Sequence, residues 1–163
     1  MSVAPIMLLE RTSTVGFIGL GAMGNHMLNN LVSRSQFKSF AIFDVNENAM
    51  NNEIQRHKTA HPLTQILKCS SPAEVATRAS YVISMVPTST HVQEVYTGKN
   101  SVLTALKQLD EQARSQTLCL DESTIEQSVS KAVALKIREV GADMMDAPVS
   151  GGKCLLYHRR GHG

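Results

Sequence analysis

The sequence predicts an α/β fold: a doubly wound, mostly parallel sheet with helices on both faces. Three observations carry that expectation. Short apolar runs alternate with longer amphipathic stretches along most of the chain. The first apolar run ends in Gly19-x-Gly21-x-x-Gly24, which opens a helical stretch. The second run ends in Asp44, and 44 − 24 = 20 residues separate that acid from the last of the three glycines.

Taken in order, strands are expected at 15–19, 40–44, 67–70, 81–86, 117–121 and 143–147, and helices at 22–33, 46–56, 72–78, 90–96 and 125–140. The strands read as near-continuous apolar runs, the pattern of a sheet covered on both faces. Ser71-Pro72-Ala73-Glu74 supplies a capping hydroxyl, a proline at the first helical position and an acid placed for a capping box. In the last helix Ile125, Val129, Val133, Ile137 and Val140 form one stripe, and Gly141 ends it. Ser123 and Thr124 each stand three residues before Glu126 and Gln127, so both fit capping boxes.

A chain of 163 residues has room for one ordinary domain. Its hydrophobic content of 42% suits a globular core, and no apolar run approaches a membrane span. A net charge of +2 without a platform of aromatics makes no case for nucleic acid. Cys69, Cys119 and Cys154 are scattered and odd in number, which reads as reduced intracellular thiols. Residues 1–14 are expected to be an N-terminal extension. Its Ile6-Met7-Leu8-Leu9 is too brief for a secretory signal, and a minimal transit peptide is the other reading of the segment.

The Gly-rich turn, with a strand before it and a helix after it, points to a dinucleotide. Gly19 lets the chain turn, Gly21 admits the pyrophosphate, and Gly24 lets the helix pack closely. The helix from Ala22 aims its free N–H groups at the phosphates. Asp44 is placed for the adenine ribose hydroxyls, and no arginine follows in Val45-Asn46-Glu47-Asn48, which favours NAD over NADP. The other reading of Asp44 is a cap for the helix after it.

Three further strand ends could line the same crevice: Met85-Val86-Pro87-Thr88, Asp121-Glu122-Ser123-Thr124-Ile125 and Asp146-Ala147-Pro148-Val149-Ser150-Gly151-Gly152. With the Gly-rich turn they resemble, in order, the motifs of the β-hydroxyacid dehydrogenase family, and within it the 3-hydroxyisobutyrate dehydrogenases. The resemblance covers residues 14–152 and implies a Rossmann-like cofactor domain over 15–152. It implies that Gly19, Leu20, Gly21, Ala22, Met23 and Gly24 surround the pyrophosphate, that Asp44 holds the ribose, and that Val86 and Pro87 lie near the nicotinamide ribose. Thr124 resembles a cofactor contact and Ser123 a substrate-carboxylate contact; Ser150, Gly151 and Gly152 resemble the substrate loop. His91 stands where the family often has asparagine, which keeps a polar donor there.

The implied reaction is NAD-dependent oxidation of 3-hydroxyisobutyrate to methylmalonate semialdehyde in valine breakdown, with a mitochondrial location and a cytoplasmic alternative. The implied partner is a small 3-hydroxy acid, and full-length family members are homo-oligomers. Two other functions stay open: an NADP-dependent glyoxylate or succinic-semialdehyde reductase of the same superfamily, and a non-catalytic dinucleotide-binding module. The family's general acid/base lysine comes from a later all-α domain that does not follow Gly152 here, so no catalytic residue is assigned and the chain is expected to be a truncated cofactor domain, inactive alone. Lys153 abuts the substrate loop and is not that lysine. Residues 153–163 are expected to be a disordered tail outside the family pattern. Cys154, His158 and His162 within it are not expected to bind metal. Gly152-Lys153-Cys154 can be encoded GGT-AAG-TGC, which contains a splice-donor sequence, so read-through into an intron would give such a tail.

Overall fold

The computed structural model describes residues 11–149. The expectations for residues 1–10, for Ser150, Gly151 and Gly152 and for the 153–163 tail lie outside the described residues. Six strands, β1 (Thr14–Ile18), β2 (Ser39–Phe43), β3 (Gln65–Lys68), β4 (Tyr81–Ser84), β5 (Leu118–Asp121) and β6 (Asp143–Asp146), form one sheet in the order β3-β2-β1-β4-β5-β6. Every pairing is parallel. The predicted α/β class therefore holds, with a sheet that is wholly parallel.

Seven helices connect the described strands: α1 (Ala22–Arg34), α2 (Glu47–Ala60), α3 (Pro72–Arg78), α4 (Ser89–Thr97), α5 (Val102–Leu106), α6 (Glu111–Ser115) and α7 (Gln127–Glu139). On one face Leu28, Val32 and Met50 from α1 and α2 pack on Phe17, Phe40 and Ile42. On the other, Val92, Val95, Tyr96, Val102, Leu106, Val133 and Ile137 pack on Ile18, Val82, Cys119 and Met144. Burying each large apolar side chain contributes roughly 1.5–3 kcal/mol, so the two cores hold the sheet from both sides.

Local chemistry sets most helix starts. Asn46, Ser71, Thr88, Ser101 and Asp110 each cap a helix with a side-chain oxygen. At α3, Ser71 accepts from the Glu74 N–H, while the Glu74 carboxylate reaches Ser70 and not Ser71. The capping of α7 differs from expectation. That helix begins at Gln127 after Glu126, with no side-chain cap, and Ser123 and Thr124 lie before it. Glu126 takes the N-cap position, which places Ser123 and Thr124 too early in the chain to cap the helix. Gly141, at φ +91°, follows the helix end as expected.

The chain before residue 15 belongs to the folded body from Arg11 onward. Arg11 is 4% exposed and donates to the carbonyls of Ala76, Thr77, Ala79 and Ala113 and to the Thr117 hydroxyl. Burial lowers its pKa and the charge of Asp110 offsets part of that. The Ser80 N–H in turn donates to the Arg11 carbonyl, tying this residue to the start of β4. Of the three cysteines, Cys69 and Cys119 are buried free thiols, each pushed up to about 12 by burial.

Candidate functional site

The strand order reverses direction between β1 and β4, and a crevice outside the carboxyl ends of strands forms at such a point. A cavity of about 610 Å³ opens there. Its lining includes Gly19, Gly21, Ala22, Met23, Gly24 and Asp44 on one side and Met85, Val86, Pro87, His91 and Glu94 on the other. Most of the predicted cofactor residues are thus brought together in one place.

The Gly-rich turn is locked between neighbouring strands. The Gly19 N–H donates to the Phe43 carbonyl at 2.9 Å, and the Met85 N–H donates to the Ile18 carbonyl at 2.9 Å. Gly19 adopts φ +94°, and a Cβ on it would lie 2.1 Å from the Met85 carbonyl oxygen. A Cβ on Gly24 would lie 1.9 Å from the Gly19 carbonyl oxygen, because α1 presses directly on the turn. These two glycines are required by the protein itself.

Gly21 is different. Among the described residues an added Cβ would meet nothing within 4 Å, and its φ of −66° suits any residue. None of the described residues demands glycine there; the space in front of it is what a side chain would fill. Gly21 also precedes α1, which has no side-chain cap and no acid in its first turn. A bare helix start behind an open glycine suits a pyrophosphate, so the residues present fit a dinucleotide.

Asp44 is half-buried at the end of β2 and its two oxygens are already oriented. Oδ2 accepts from the Leu20 N–H at 2.6 Å and Oδ1 from the Asn46 N–H at 2.7 Å. A carboxylate has about four acceptor positions, so two remain for hydroxyls of a ligand. Capping of α2 falls to Asn46, whose side chain accepts from the Asn48 N–H at 3.1 Å. Leu20 differs from expectation: its side chain is buried and its N–H is held by Asp44, so it shapes the turn from behind.

On the opposite wall Val86 is half-buried and Pro87 exposed. The His91 ring, also exposed, has Nδ1 2.7 Å from the Thr88 hydroxyl. Thr124 is exposed beyond β5 and donates to the Val149 carbonyl at 3.3 Å, at the threshold of the predicted substrate loop. Ser123 does not face the crevice. It is 2% exposed, donates to Asp121 Oδ1 at 2.7 Å and accepts from the Val86 N–H at 3.0 Å.

A buried polar cluster that the sequence reading did not assign lies beneath this wall. Asp121 Oδ1 accepts from Ser84 Oγ at 2.8 Å as well as from Ser123, and Ser84 Oγ is 2.8 Å from the buried Tyr96 hydroxyl. Burial pushes the Asp121 carboxyl above its usual range, against the hydrogen bonds from Ser123 and Ser84. The signals were a serine inside the apolar run of β4 and an acid at the end of β5, which sequence spacing alone does not connect. Pro72, Glu94 and Asn100 also line the crevice without having been foreseen. Among the described residues no group of His, Cys, Asp and Glu is arranged to hold a metal ion, and no helix is long and apolar enough to cross a membrane.

With this geometry in place, comparison with known proteins is decisive on family. The sequence profile of the NAD binding domain of 6-phosphogluconate dehydrogenase matches residues 14–156. The chain belongs to that family of NAD(P)-binding domains. Among its relatives, the mitochondrial 3-hydroxyisobutyrate dehydrogenase of Homo sapiens is 41% identical over 138 residues, covering 85% of this chain and 36% of the relative. A probable mitochondrial 3-hydroxyisobutyrate dehydrogenase of Dictyostelium discoideum is 36% identical over 141 residues, covering 86% and 39% respectively. The solved Mycobacterium tuberculosis 3-hydroxyisobutyrate dehydrogenase with L-serine superposes with a TM-score of 0.67 at 33% identity, covering 86% of this chain and 42% of that one. The chain therefore spans well under half the length of these relatives.

Proposed function

We propose that this chain binds NAD in the β1–β4 crevice and forms the cofactor-binding part of a mitochondrial 3-hydroxyisobutyrate dehydrogenase that acts in valine breakdown. The observation that carries the cofactor reading is the pairing of open space at Gly21 with an oriented carboxylate at Asp44. The substrate reading is supported by the 3-hydroxyisobutyrate dehydrogenases to which the chain is similar.

In this reading Gly19, Gly21, Ala22, Met23 and Gly24 surround the pyrophosphate, with first-turn N–H groups of α1 as donors. Asp44 accepts from both hydroxyls of the adenine ribose while Leu20 holds it in place. Val86, Pro87 and His91 receive the nicotinamide ribose, and Thr124 lies at the junction with the substrate loop. NAD, when bound, supplies the hydride acceptor. Ser150, Gly151 and Gly152 are proposed to take the substrate carboxylate. Ser123 joins them only by turning its O–H away from Asp121. No lysine lines the crevice among the described residues, so they hold the cofactor and offer no lysine for proton transfer.

NAD is preferred to NADP on electrostatic grounds. The crevice lining carries Asp44 and Glu94 and, among the described residues, neither lysine nor arginine. Lys68 at the end of β3 is already paired with Glu47 and bonded to Asn51. A 2′-phosphate beside Asp44 would meet a like charge and lose the ribose contact, a difference of about 1.5–3 kcal/mol. Calorimetric titration of the chain tests this: NAD is expected to bind about tenfold or more tighter than NADP. Equal affinities would contradict the NAD assignment, and failure to bind either would contradict the site.

A further inference from the structure

We infer that Asp121 is a positioning residue that sets the Val86–Pro87 turn against the nicotinamide half of the cofactor, acting through Ser123. The inference rests on the NAD reading of the crevice and adds a role for a residue that touches no part of it. Ser84 and Asp121 are paired in the β4–β5 register, and both are buried, at 0% and 1% exposure.

The hydrogen-bond directions follow from the chemistry of the acceptor. An ionised carboxylate only accepts, so the Ser84 and Ser123 hydroxyls both donate to Asp121 Oδ1, at 2.8 and 2.7 Å. The Ser123 N–H also donates to it, at 3.3 Å. With its proton directed at Asp121, Ser123 keeps its oxygen lone pairs for the Val86 N–H at 3.0 Å. On the other branch, the Tyr96 hydroxyl donates to Ser84 Oγ at 2.8 Å, since the Ser84 proton is already in use. One carboxylate thereby orders a hydroxyl pointing into the core and another pointing at the crevice wall.

The crevice branch ends on a residue that lines the site. Pro87 has no N–H, so the Val86 amide is the donor through which this turn is held to the β5 end. A second tie, from the Glu126 N–H to Ser89 Oγ at 3.3 Å, joins the same two segments further out. Asp121 Oδ2 is buried with no hydrogen-bond partner among the described residues, so every hydrogen bond this carboxylate accepts falls on Oδ1. An apolar residue would fill the core without leaving a buried oxygen unpaired. What it could not do is orient Ser123 to receive Val86.

The test compares two ligands that share the adenylate half. Ser123→Ala removes the acceptor for the Val86 amide, and Asp121→Ala removes the group that orients it; if the second variant fails to fold, the first still carries the test. NAD and AMP are titrated into the full chain and each variant. The expected result is an NAD affinity about three- to tenfold weaker in the variants, the size of one hydrogen bond, with AMP affinity unchanged within about twofold. Equal losses for both ligands would show a general loss of structure and overturn the inference, as would NAD binding within twofold of wild type. If the unaltered chain binds AMP and NAD, only the positioning role is at stake; if it binds neither, the reading of the crevice falls with it.

Discussion

The β1 wall of the crevice is made by leaving side chains out, whereas the β4–β5 wall is made by burying polar ones. On the β1 side Gly19 and Gly24 fit together so closely that a single methyl group would lie about 2 Å from a carbonyl oxygen. The wall's donors are backbone N–H groups at the start of α1, and its one side chain with chemistry is Asp44. On the other side Tyr96, Ser84, Asp121 and Ser123 form a branched cluster under the Val86–Pro87 turn. The first wall is set by close backbone contact, and the second by hydroxyls that reach one carboxylate directly or, for Tyr96, through Ser84.

The contrast separates stability from binding within one motif. Gly24→Ala is expected to cost roughly 2–4 kcal/mol of folding free energy, because the new Cβ meets backbone that has nowhere to move. Urea unfolding measures it, and a loss under about 1 kcal/mol would mean that α1 can slide off the turn. Asp44→Ala should weaken NAD by about 1.5–3 kcal/mol through lost charge-assisted contacts, read by calorimetry. A variant that binds NAD as well as wild type would remove Asp44 from the site. Gly21→Ala should change stability by less than about 1 kcal/mol while weakening NAD about tenfold. If it lost stability instead, the open space at Gly21 would have a structural cause.

The glycine wall was legible in the sequence because its parts are local. Three glycines at fixed offsets, a strand before and a helix after are all consequences of one short stretch of chain. The other wall was legible only in part. Val86, Pro87 and His91 lie in motifs that reach the crevice, but the Ser84–Asp121 contact joins residues 37 apart in sequence. The capping boxes at Ser123 and Thr124 do not form because α7 starts later than its apolar stripe suggests, with Glu126 and not either hydroxyl at the N-cap. The short helices α5 and α6 escaped for a different reason. Each has 5 residues, too few for a helical period to show, although Ser101 and Asp110 stand at their starts as ordinary caps.

A smaller effect probes the polar wall alone. Asp121 titrates above its usual 3.8, chiefly through burial, so the carboxylate loses its proton less readily in the fold than in the unfolded chain, while still ionising at higher pH. Its contribution to stability is then fully present below pH 3.8 and is lost as pH rises through the folded pKa. Unfolding measured across that range should show wild type losing stability relative to Asp121→Asn as pH increases. A difference that rises with pH instead would mean that the carboxylate is stabilised in the fold, and that the hydrogen bonds from Ser84 and Ser123 outweigh its burial.

On this reading the two unlike walls face one ligand. Amide chemical-shift mapping of the chain during an NAD titration tests it most directly. Shifts are expected at Gly21, Ala22 and Met23 on one wall and at Val86 and Ser123 on the other, saturating together. Shifts confined to one wall, or centred instead on the separate cavity lined by Arg11, Glu74 and Arg78, would contradict it.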